Sequence, residues 1–79
     1  MIDIQIEYYL TQCEKEIGKP AVVMKKEEKM EALEYLDKKG VLQISKASIR
    51  LCQFFQISKF TLYHYLDEIR EKQKGETEQ

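Results

Sequence analysis

Ser48-Ile49-Arg50-Leu51-Cys52-Gln53-Phe54-Phe55-Gln56-Ile57-Ser58-Lys59-Phe60-Thr61-Leu62-Tyr63-His64-Tyr65-Leu66 reads as two short helices joined by a tight turn. Ile49, Leu51, Cys52 and Phe55 supply an inner face for the first of them. Cys52 is small enough for the point where the two helices cross most closely. Ile57 follows the turn and is expected to plug into the core. Ser58 is a good N-cap for the second helix, because its hydroxyl can accept from a free amide of the first turn. Leu62, with Tyr65 or Leu66, then faces back onto the first helix. A helix, a tight turn, a cap and a second apolar stripe form the layout of a helix-turn-helix, whose second helix lies in the DNA major groove.

The outer side of that second helix carries Lys59, Phe60, Tyr63, His64 and Asp67. Lys59 can bind a phosphate or a guanine edge, and Thr61 a phosphate or a thymine methyl. Tyr63 can donate its hydroxyl to phosphate or pack on base edges, and His64 can hydrogen-bond either. Ser58 can reach a phosphate through its hydroxyl or amide as well as cap. Phe60 and Tyr63 also admit a reading as packing residues. Lys46 and Arg50, at the start of the preceding helix, are expected to clamp the DNA backbone. The expected DNA-binding set is thus Lys46, Arg50, Ser58, Lys59, Phe60, Thr61, Tyr63 and His64.

Working outward, Ile2, Ile6, Tyr9, Leu10, Cys13 and Ile17 recur at three- and four-residue steps and predict an amphipathic helix over residues 2–17. Gly18 ends it and Pro20 prevents its resumption. A second helix begins at Lys25 or Lys26 and runs to about Lys39, with Met30, Leu33 and Leu36 inside and Ala32 beside them. Glu27 and Glu28 in its first turn and Lys38 and Lys39 in its last suit the helix dipole. Gly40 is its stop. Residues 41–44 are apolar and β-prone, and read either as one brief strand or as a buried connector. Ser45 is expected to cap the third helix, over about residues 46–55, and the fourth runs to about Lys72. The expectation is a small all-α, four-helix domain over residues 1–74, the third and fourth helices forming the helix-turn-helix, with a frayed tail at 75–79.

Seventy-nine residues suffice for one domain, with 43% hydrophobic and 34% charged residues in the range of folded proteins. No apolar run approaches the ~20 residues of a membrane span, and Met1-Ile2-Asp3-Ile4 has no basic leader. Cys13 and Cys52 have no C-x-x-C partner, and only His64 could join them, so neither a metal site nor a cofactor is expected. Two reduced thiols point to the cytoplasm. One histidine and no Gly-rich phosphate loop leave catalysis without a basis, so no enzyme is expected. The net charge is −1, but it is unevenly spread: residues 1–43 carry seven Lys against nine Asp/Glu, residues 44–74 six Lys/Arg against three. The basic part coincides with the helix-turn-helix, mildly.

Ile17-Gly18-Lys19-Pro20, Met24, the Lys26–Lys29 charge run, residues 36–41 and the run from Ile57 to Arg70 resemble the DNA-binding domain of YheO-like transcriptional regulators. The resemblance covers roughly residues 8–70. It implies sequence-specific DNA binding and transcriptional control, and it marks Ser58, Lys59, Phe60, Thr61, Tyr63 and His64 as contact candidates. That family usually places a PAS-like sensor domain before this one, and none is present here, whether the chain is an excised domain or stands alone. Two further departures stand out. Gln56 occupies a turn position where the family usually has glycine, and Lys25 one where a Ser or Thr cap is common.

Double-stranded DNA is the expected partner, engaged by a homodimer whose two recognition helices meet successive major-groove faces. The stripe of Ile2, Ile6, Tyr9 and Cys13 is the expected dimerisation surface, with strand pairing through residues 41–44 as the second candidate. The alternative is a protein-interaction module that keeps this fold, binds no DNA, and modulates a full-length regulator.

Overall fold

The computed structural model describes the backbone of residues 4–77 and the side chains of residues 5–72. Its helices are α1 (Ile4–Ile17), α2 (Lys26–Lys38), α3 (Ala47–Phe55) and α4 (Lys59–Thr77), with single 3-10 turns at Ala21–Val23 and Val41–Gln43. The described residues contain no strand, so the fold is all-α, and the brief strand considered at 41–44 is a helical turn instead. Val41 is fully buried, and the amides of Gln43 and Ile44 donate to the carbonyls of Gly40 and Val41 at 3.1 and 3.0 Å. With its hydrogen bonds closed within the segment, the backbone needs no partner strand.

Each helix contributes residues at three- and four-residue steps to one core. Ile6, Leu10 and Cys13 come from α1, Leu33 and Leu36 from α2, Ala47, Leu51 and Phe55 from α3, and Leu62, Leu66 and Ile69 from α4. Tyr9, Met30, Cys52, Ile57 and Tyr65 line its margin. Between α1 and α2, the Cys13 thiol donates to the Ala32 carbonyl oxygen at 3.5 Å, and both residues are fully buried. Ile49, read as inward-facing, is exposed, whereas Ala47, one turn before Leu51, is buried. The α4 helix runs on to Thr77, beyond the expected end near Lys72 and into the segment expected to fray.

The helix ends explain the chain's path. Gly18 at φ 87° closes α1 by donating to the Glu14 carbonyl at 2.9 Å, and the Glu14 carboxylate accepts from the Ala21 amide at 2.9 Å to hold the following loop. The α2 helix begins after Lys25, where serine or threonine would be usual. Glu28 supplies half of a capping box in compensation, its carboxylate accepting from the Lys25 amide at 2.9 Å. Lys19 pairs with the same carboxylate at 2.6 Å. These two contacts, with the Lys19 hydrogen bond the larger, hold the Glu28 carboxyl below its ordinary value. Ser45 does not cap α3. The N-cap is Lys46, held in the left-handed region at φ 64° by the run of tight turns that delivers the chain into the helix.

The α3 helix ends in a Schellman motif. Gln56 at φ 56° donates to the Gln53 carbonyl at 3.3 Å, and Ile57 donates to that of Cys52 at 3.0 Å. The left-handed backbone that the sequence required at Gln56 is therefore present without the glycine that best tolerates it. Gln56→Gly is expected to raise stability by about 0.5–1 kcal/mol, the relief of the left-handed strain exceeding the entropy glycine gains when unfolded. Urea unfolding of the two proteins measures it; a lower midpoint for the glycine variant would show that Gln56 is not strained.

Candidate nucleic-acid interface

Only Gln56, Ile57 and Ser58 separate α3 from α4. So short a connection keeps the two helices in contact, and the shared burial of Leu62 and Leu66 with Leu51 and Phe55 in one core sets the roll of the second. Ser58 then fixes the first turn of α4. Its hydroxyl oxygen accepts from the Thr61 amide at 3.1 Å and donates its own hydrogen to the Thr61 hydroxyl at 3.0 Å. Thr61 is thereby half-buried and engaged with the cap.

With the inner side so fixed, Lys59, Phe60, Tyr63 and His64 stand in solvent. Phe60 is 82% exposed and Tyr63 47%. Aromatic groups left this open at the start of a helix-turn-helix second helix offer flat apolar surface to base edges and thymine methyls. Lys59 makes no ion pair among the described residues. His64 faces Glu68 one turn on, Nε2 to carboxylate at 3.7 Å. Lys26 of α2 approaches the same carboxylate at 4.0 Å and lies 5.9 Å from the Tyr65 ring centre. Glu68 therefore stands between two nitrogen groups rather than as a free negative charge beside the recognition face.

Lys46 is exposed at the head of α3, but Arg50 is not the free clamp read from the sequence. Its Nε donates to one oxygen of Glu7, and its Nη2 to the other at 3.0 Å. It also lies 5.9 Å from the Phe54 ring centre. This forked pair ties α3 to α1 across 43 positions of sequence. The Arg50 hydrogen bond holds the Glu7 carboxyl below its ordinary value of 4.5, against a smaller opposing effect of desolvation. The associated stability is present above pH 4.5 and disappears as pH falls through the lowered value. Both side chains are more than a third exposed, at 35% and 38%, so the gain is modest, about 0.2–1 kcal/mol. Glu7→Gln should lower the urea midpoint at neutral pH and flatten its decline on acidification; a parallel decline in the variant would assign that dependence elsewhere.

The α1 residues fare differently from the expectation of a dimer surface. Ile6 and Cys13 lie in the chain's own core, Tyr9 is half-buried, and Ile2 lies outside the described residues. Tyr8, not singled out by the stripe, is the exposed aromatic of α1 and meets Tyr9 edge-on at 5.5 Å. The partners Glu7, Glu68 and Lys26 also escaped the sequence reading, since nothing local distinguishes a glutamate that meets an arginine two helices away.

The arrangement is a two-helix unit that presents a capped helix start, Lys59, two open aromatic rings and a histidine. A family model described as an HTH domain matches residues 5–67. No curated protein and no solved structure matches the chain. The matched span takes in α1, α2 and α3 almost entire and reaches into α4 as far as Asp67, so it contains the turn, the cap and the exposed face together. The chain therefore belongs to this family of helix-turn-helix domains.

Proposed function

We propose that this domain is the DNA-reading part of a YheO-like transcriptional regulator acting in the cytoplasm. The N-terminal half of α4 enters the major groove, with Lys59, Phe60, Tyr63 and His64 toward the bases and Ser58, Thr61 and Lys46 toward the phosphates. The observation that carries this reading is the exposed Lys59–His64 face on a helix whose start is capped by Ser58 and whose roll is fixed by Leu62 and Leu66. Two copies, joined along the outer side of α1 where Tyr8 is open, would set two such helices on successive faces of a duplex. Titration of duplex DNA in a mobility assay at two salt concentrations, beside sedimentation of the protein alone, tests both parts. Salt-sensitive binding and a dimer are expected. An unshifted duplex at low salt would overturn the DNA reading, and a monomer at every concentration would overturn the dimer.

One observation favours a second reading, a module that binds a partner regulator in place of DNA. The outer side of α4 beyond His64 carries Asp67 and Glu71, and the chain as a whole is weakly acidic. With Phe60 almost fully open, this face also suits a protein surface. That reading requires tight association with a protein and no DNA binding at any ionic strength.

A further inference from the structure

A groove of about 440 Å³ opens between α2 and α4, lined by Glu27, Met30, Glu31, Glu34, Ile69 and Lys72. Its base is apolar: Met30 is half-buried and Ile69 belongs to the core. Its rim is acidic. Glu27, Glu31 and Glu34 follow one another at helical spacing along α2, and among the described residues none has a cation within 4.0 Å. Lys72 is the single positive group on the opposite wall. No cluster of described acidic, histidine or cysteine residues could hold a metal ion, so these carboxylates are not metal ligands in waiting.

We propose that this groove docks a cationic amphipathic helix of a partner protein, with an apolar side chain on Met30 and Ile69 and its lysines or arginines on Glu27, Glu31 and Glu34. Complementarity of charge selects the occupant. Three unpaired carboxylates repel a nucleic acid or an acidic peptide, while the apolar base favours a ligand with a hydrophobic anchor over a mere polycation. Position makes the docking compatible with DNA. Tyr63 and Lys72 are nine residues apart on α4, about two and a half turns of 3.6 residues, so the groove and the recognition face lie on opposite sides of the helix. A partner seated there leaves Lys59 and Tyr63 open.

The test is a titration of the isotope-labelled domain with a synthetic leucine–lysine amphipathic helix, followed by amide chemical shifts, with a matched leucine–glutamate helix as control. Shifts should centre on Met30, Ile69 and the glutamate rim, and the acidic peptide should give none. Replacing all three carboxylates (E27Q, E31Q, E34Q) should weaken binding about tenfold or more, glutamine being a comparable helix former. Met30→Gln should weaken it independently of salt. Duplex binding by the triple variant should match the parent's, which separates this surface from the α4 face. The proposal is overturned if the shifts scatter or fall on Lys59–His64, if the triple variant binds as tightly as the parent, or if Met30→Gln binds unchanged.

Discussion

Phe55→Ala is expected to remove a large share of the domain's stability and to lower its urea midpoint sharply. Phe55 is 1% exposed, meets Phe54 edge-on at a centroid distance of 4.9 Å, and is the last helical residue before the turn. Truncating a buried phenylalanine costs about 3–5 kcal/mol, because the cavity closes only partly. A chain of this size has about 4–12 kcal/mol in total, at 0.05–0.15 kcal/mol per residue. The loss also opens the core that α3 shares with Leu62 and Leu66 of α4, so the recognition face should loosen with it. Ile49→Ala is the control. It lies on the same helix but is exposed, and its effect should stay within about 0.5 kcal/mol. Circular dichroism followed against urea measures both. Similar midpoints for the two variants would refute the assignment of Phe55 to the core and Ile49 to the surface.

The second large effect concerns binding. Lys59→Ala with Tyr63→Ala should reduce duplex affinity by about 10- to 100-fold at low salt, from losing one phosphate or guanine contact and one aromatic contact at about 1 kcal/mol or more each. Loss of the lysine alone should lower the salt dependence by about one ion if it contacts phosphate. Because both side chains are in solvent, the unfolding midpoint should be unchanged, so the readout is not confounded by stability. Undiminished affinity in the double variant would remove this face from the interface. The contrast between the two experiments is informative in itself. One variant damages the scaffold and through it the face; the other strips the face and spares the scaffold.

Much of the scaffold was legible in the sequence because periodicity is a local property. The stripes Leu10–Cys13, Leu33–Leu36 and Leu51–Phe55 recur at helical spacing, and Gly18 and Gly40 punctuate them. Ser58 was legible as a cap for the same reason, and the left-handed turn at Gln56 because a resemblance set glycine there. What escaped depends on contacts between distant segments. A β-prone tetrapeptide at 41–44 became a helical turn because Val41 was drawn into the core and the described residues offer no strand to pair with it. Ile49 was read as inward-facing but is exposed, because α3 turns the row Ala47, Leu51 and Phe55 inward against α4 and the two 3-10 turns. Arg50 looked like a free cation until Glu7 was found beside it. The stripe on α1 looked too long for a four-helix core, yet Ile6 and Cys13 are consumed by it.

The two thiols differ in a way that gives the molecule a built-in reporter. Cys13 is fully enclosed beside Ala32, and burial, aided by Glu14, Glu16 and Glu31, pushes its sulfur up to about 12. Thiol reagents act on the thiolate, so at neutral pH Cys13 should stay silent until α1 and α2 part. Cys52, half-buried one turn before the α3–α4 connection, remains addressable. A fluorophore can thus be attached to the native chain at a single sulfur close to the α3–α4 turn, while the delayed labelling of the other clocks the parting of α1 from α2.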